Sequence, residues 1–99
     1  MTTYFVSRHP GARDWATEAG IVVDEVLAHL DTALVGEGDT VIGSLPVNLA
    51  AEVCRRGARY LHLSLRLPAD LRGRELNAAQ MRAVHARIEE YHVQRVDSS

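Results

Sequence analysis

TVIGSLPVNLAAEVCRRGARYLHLSLRL, residues 40–67, decides the fold. Its first six residues, TVIGSL at 40–45, are rich in β-branched and apolar side chains and read as a strand. Gly43 inside that strand implies a close approach of another piece of backbone. Pro46 then suits the first turn of a helix, where its missing N–H would have had no partner. Leu49, Val53 and Cys54 follow at helical spacing, and Gly57 supplies the stop. Residues 59–67 alternate strictly, with Leu61, Leu63, Leu65 and Leu67 on one side and Tyr60, His62, Ser64 and Arg66 on the other. The leucine side is core; the polar side is expected to meet solvent, a ligand or a partner. Strand, helix and strand in direct succession argue for an α/β layer.

Working outward, TYFVS at 3–7 reads as another strand, and Pro10 opens a helix on which Ala12, Trp15, Ala16 and Ala19 recur before Gly20. Residues 21–31 fit two patterns: Val23, Leu27, Leu30 and Leu34 at helical spacing, or Val22-Val23 and Val26-Leu27 in a buried strand. The context favours a strand near 23–29. GEGD at 36–39 is a turn. Beyond the central unit, PADLRGREL at 68–76 is a loop, after which Asn77 caps a long helix with Gln80 in the capping-box position and Met81, Val84, Ile88 and Tyr91 along one side. The expected architecture is a small Rossmann-like, mostly parallel sheet of about four strands flanked by helices, one α/β domain over 1–96 with a disordered tail at 97–99. The connection between the second and third strands, about nine residues, is short for a helical crossover.

The 99 residues, 46% hydrophobic and 24% charged, suit one small globular core. No apolar run approaches the ~20 residues of a membrane span, and the opening MTTYFVSRHP lacks the basic-then-apolar order of a signal peptide. A cytoplasmic protein without membrane contact is expected. The single cysteine, Cys54, sits in an apolar helical pattern as an inert buried thiol. Charge is divided: residues 1–54 hold two arginines against eight acids, residues 55–99 nine arginines against five, for a net −2 overall. That balance excludes a protein that coats long nucleic acid but admits a small anion held by a few arginine forks. Every basic residue is arginine, which genomic base composition also explains.

In open parallel sheets, ligands bind beyond the carboxyl ends of the strands. Two such ends look alike, VSRHPG at 6–11 and GSLPVN at 43–48, each with a serine, then a proline, at a helix start. Ser7, Arg8, His9, Ser44, Pro46 and Asn48 are therefore candidates to converge on one anion, with Arg66, Arg72 and Arg74 closing over it. The plainer alternative makes Ser7 and Asn48 helix caps and leaves His9 and the arginines to solvent. Neither turn fits the glycine-rich phosphate or dinucleotide fingerprints. His85, Glu89 and His92 have helical spacing for a metal site, yet a solvated helix face explains them as well, and no metal or other cofactor is expected.

MTTYFVSRHPGARDWA at 1–16, HLD at 29–31, GDTVIGSLPVNLAAEVCRRGARYLHLSL at 38–65 and LPADLRGREL at 67–76 resemble one small family, the sixteenth of the Csx series of type III CRISPR-associated accessory proteins. The resemblance runs from residue 1 to about residue 92. It implies a CARF-related sensor fold and a ring nuclease that degrades cyclic oligoadenylate messengers, above all cyclic tetra-adenylate. Such cleavage needs no metal if a ribose 2′-hydroxyl attacks its neighbouring phosphate. Arg8 would then stabilise phosphate charge, His9 would donate to the leaving oxygen or accept from the hydroxyl, and Ser7 and Asn48 would orient the backbone. A two-fold ring also implies a homodimer, with the polar face of 60–66 at its interface. Two other readings stand beside it: a non-catalytic sponge for the ring, which needs the same anion site, and a protein-interaction module without a nucleotide ligand, which does not.

Overall fold

Adjacent residues of the first strand point opposite ways, Phe5 into one core and Tyr4 into another, and the whole arrangement follows from that alternation. The computed structural model describes residues 1–96; the expected disordered tail at 97–99 lies outside the described residues. The elements are β1 (Thr3–Val6), α1 (Ala12–Glu18), β2 (Glu25–Leu27), β3 (Thr40–Gly43), α2 (Val47–Arg55), β4 (Arg59–Ser64), α3 (Ala78–Ala83) and β5 (Arg87–Tyr91), with short 3-10 turns at Thr32–Leu34 and Ala69–Leu71. The sheet order is β2-β1-β3-β4-β5. The first four strands are parallel and β5 runs antiparallel to β4. This mixed α/β, mostly parallel sheet flanked by helices is compatible with a small Rossmann-like fold, with one strand more than the four expected.

One face of the sheet packs Phe5, Ile42 and Leu63 against Trp15 of α1 and Met81 of α3; the other packs Tyr4, Val41 and Tyr60 against Val53 of α2 and Val35. Tyr60 is 2% exposed, so the expectation that the second side of β4 is an open polar face fails there: α2 covers it. The β2–β3 connection spans residues 28–39. It passes β1 with only a 3-10 turn, because β3 lies on the far side of β1 and the chain has merely to cross one strand.

The largest departure from the sequence reading is at the C-terminal end. Asn77 does cap α3 in a reciprocal capping box with Gln80, but α3 stops at Ala83. His85 turns the chain with φ 56°, and residues 87–91 pair along β4, Ile88 opposite Leu63 and Tyr91 opposite Tyr60. The spacing of Met81, Val84, Ile88 and Tyr91 mimics a helix, yet β4 offers an unpaired edge whose backbone groups outweigh local periodicity. His85, Glu89 and His92 therefore do not share a helix face: His85 sits in the turn, Glu89 within β5 and His92 beyond it. Among the described residues no helix is long and apolar enough to cross a membrane.

Candidate functional site

The strand order reverses between β1 and β3, since the chain leaves β1 towards β2 on one side and continues from β3 to β4 on the other. At such a switch point the loops diverge and leave a crevice beyond the strand ends. Gly43 and Val6 are register partners at that end, and a Cβ on Gly43 would stand 2.8 Å from the Val6 carbonyl oxygen. The close approach read from the sequence is thus the contact that brings the two turns together.

Two adjoining hollows of about 590 and 550 Å³ open there, and Ser7, Arg8, His9 and His29 line both. Ser44, Pro46 and Arg74 line the second, over a floor that includes Leu45, Leu65 and Leu67. Arg13 borders the first, and Glu75 borders both as the one carboxylate among the described residues. Cationic and hydroxyl groups thus face one apolar-floored crevice, the pattern of a site that takes an anion with an attached apolar or aromatic group.

The turn after β1 is held by its own polar atoms. The Ser7 hydroxyl accepts from the His9 N–H at 3.0 Å, and the Ser7 N–H donates to the Leu27 carbonyl of β2 at 2.9 Å. His9 Nδ1 accepts from the Leu76 N–H at 3.0 Å, while the Gly11 N–H donates to the Leu76 carbonyl at 3.1 Å. A Cβ on Gly11 would collide with the backbone of Asn77 and Ala78, so glycine is what lets the start of α3 press against this turn. With Nδ1 engaged as an acceptor, the neutral His9 ring carries its proton on Nε2. His9 is then a hydrogen-bond donor towards the crevice, and its capacity to accept a proton there is already spent on Leu76. His29 has no hydrogen-bond partner among the described residues and sits exposed at the end of β2.

The turn after β3 is held from beneath. The Tyr60 hydroxyl donates to the Gly43 carbonyl at 3.0 Å, accepts from the Leu45 N–H at 3.0 Å and lies 2.7 Å from His62 Nδ1. Burial pushes the Tyr60 hydroxyl pKa up, which keeps it a neutral donor. The Ser44 hydroxyl donates to the Leu63 carbonyl of β4. Its proton is committed to the scaffold.

Three of the residues expected at this site lie elsewhere. Asn48 faces a groove between α2 and residues 92–95, because one step along a helix rotates it away from Leu49, which does line the crevice. It is no cap either, since α2 begins after Pro46 with no side-chain cap. Arg66 lies between Leu65 and Leu67 just beyond the end of β4, but it lines a different hollow from theirs, beside Trp15 and Arg82. Arg72 lines none of these hollows. Conversely, His29 and Arg13 were not singled out as site residues; the signal available was that His29 follows the second strand at the same end of the sheet.

The family model described as Putative CRISPR-associated protein (Cas_VVA1548) matches residues 4–94. No curated protein and no solved structure matches the chain.

Proposed function

The chain belongs to that CRISPR-associated family, and on this premise we propose that it is a ring nuclease of the type III accessory proteins, of CARF-like descent and sixteenth in the Csx series, which binds cyclic tetra-adenylate and opens the ring without a metal. The observation that carries this reading is the meeting of Arg8, His9, His29 and Arg74 over an apolar floor at the β1/β3 switch point. Arg8 and Arg74 offer planar forks to a phosphodiester, and Leu45, Leu65 and Leu67 offer surface to an adenine.

In the proposed reaction the ribose 2′-oxygen attacks the adjacent phosphorus, a 2′,3′-cyclic phosphate forms, and the bond from phosphorus to the 5′-oxygen breaks. The 2′-hydroxyl proton passes to His29, whose ring is free to take it. The departing 5′-oxygen takes a proton from water, and the proton held on His29 neutralises the hydroxide left behind. His9 Nε2–H and the Arg8 guanidinium donate to the phosphate oxygens as charge grows on them. Of the two roles the sequence offers His9, accepting the hydroxyl proton conflicts with its bond from Leu76; its donation is directed here at the phosphate oxygens rather than at the leaving oxygen. Ser7 acts by holding the His9 backbone rather than by touching the phosphate. A ring with two-fold symmetry would sit across a homodimer, each subunit contributing one crevice.

The test is chromatography of cyclic tetra-adenylate after incubation in excess over the protein, with and without a chelator. The reading expects several turnovers, linear products ending in 2′,3′-cyclic phosphate, and no effect of the chelator. Intact rings recovered in full from a tight complex would make the protein a sponge, and absence of binding would leave an interaction module. Activity lost to the chelator and restored by a divalent ion would overturn the metal-independent step.

A further inference from the structure

The helices α1, α2 and α3 end alike, with one exception. After α1 the Gly20 N–H donates to the Thr17 carbonyl at 3.1 Å and the Ile21 N–H to the Ala16 carbonyl at 2.8 Å; after α2 the Gly57 N–H donates to Cys54 at 3.0 Å and the Ala58 N–H to Val53 at 3.3 Å. After α3 the same pair of bonds recurs, from His85 to Arg82 at 3.1 Å and from Ala86 to Met81 at 3.0 Å. This closing motif places its pivotal residue in the left-handed region, where glycine is at ease and other residues are strained. Gly20 and Gly57 have φ 79° and 83°; His85, at 56°, is the one non-glycine with positive φ among the described residues.

His85 borders another hollow, about 550 Å³, together with Arg66, Arg82, Arg87 and the largely buried Trp15. Arg82 is paired with Glu18, and Arg87 with Glu89 at 3.1 Å; Arg66 has no carboxylate partner among the described residues. The hollow therefore keeps an excess of positive charge. It lies on the reverse of segment 65–67 from the switch-point crevice, since Leu65 and Leu67 line that crevice and Arg66 does not. Strain retained at a residue that faces a ligand-sized space points to use.

We propose that the hollow formed by Trp15, Arg66, Arg82, His85 and Arg87 binds a nucleoside 5′-monophosphate, free or at the end of an oligonucleotide. The guanidinium of Arg66 takes the phosphate dianion as a fork, and Arg82, Arg87 and the His85 ring surround it. The volume, within the roughly 300–1,000 Å³ of small-molecule sites, exceeds what inorganic phosphate fills and leaves room for a nucleoside beside Trp15. This site does not depend on the ring-nuclease reading.

Trp15 is the protein's only tryptophan, and it borders this hollow but neither of those at the switch point. Its fluorescence and indole N–H resonance therefore report on this site more directly than on the switch point. Titration with adenosine 5′-monophosphate should shift both signals saturably, while adenosine at the same concentrations leaves them in place. Arg66→Gln should weaken the affinity about tenfold. His85→Gly should also weaken it, yet raise the melting temperature by about 4 °C through relief of strain, with ring cleavage unchanged. A 5′-phosphorylated adenylate dimer that binds at least as tightly as the monophosphate would make the oligonucleotide end the natural ligand; one that is rejected would make it the free nucleotide. The proposal is overturned if the monophosphate leaves Trp15 unmoved at millimolar concentration, if adenosine or inorganic phosphate acts equally well, or if neither variant changes the affinity.

Discussion

The turns after β1 and β3 look like copies in sequence, each carrying a serine and a proline ahead of a helix, yet the fold uses them differently. The β1 turn turns its chemistry outwards: Ser7 holds the backbone of His9, and the Arg8 and His9 side chains face the crevice. The β3 turn turns its polar atoms inwards, with Ser44 donating to Leu63, the Gly43 carbonyl and Leu45 N–H bound to Tyr60, and Asn48 on the far side of α2. On the proposed reading, one turn carries the reacting groups and the other is a wall. Similar residues in similar local structures took opposite roles because β4 lies beside β3 and supplies Tyr60 and Leu63, whereas the neighbour on the open side of β1 is the short β2.

That contrast predicts a graded set of effects. His29→Ala removes the proton acceptor beside the β1 turn and should slow ring cleavage by ~10²–10⁴-fold with little change in ring affinity, read by single-turnover kinetics. Arg8→Ala removes charge present in both ground and transition states, so cleavage should fall by ~10²–10³-fold and binding should weaken with it. Tyr60→Phe strips the β3 turn of its support and leaves the Leu45 N–H without its partner. It should cost about 1–3 kcal/mol of stability in chemical denaturation and lower cleavage about tenfold by letting the wall shift. Asn48→Ala should change neither cleavage nor affinity; a large loss there would mean that the two turns act alike after all.

Much of this was readable in the chain because it is local. Residues 40–64 fold as strand, helix and strand from signals within a few residues of one another: Pro46 before the first turn of α2, Gly57 just beyond its end, and the leucine alternation of β4. The general rule for parallel sheets then pointed to Ser7, Arg8, His9 and Ser44. What the chain concealed depends on partners far away in sequence. Residues 87–91 have a helical rhythm and become a strand only because β4 has an edge to fill. His29 was obscured because 21–31 fits two patterns, and β2 exists by virtue of β1 beside it. Asn48 and Arg66 lie in the expected segments but on other sides, Asn48 rotated by one helical step from Leu49 and Arg66 between two leucines that line the crevice.

The central claim is that the β1 turn performs chemistry rather than merely shaping the crevice, and His9→Asn tests it most directly. Asparagine places a carbonyl oxygen near the position of Nδ1 and can keep the bond from Leu76, but it has nothing where Nε2–H stood. Melting temperature, affinity for cyclic tetra-adenylate and single-turnover cleavage are measured together. The account predicts a fold and an affinity close to those of the unmodified protein and cleavage slowed by about 10²-fold. Cleavage at the unmodified rate would contradict it and leave His9 as no more than the anchor of the 68–76 loop.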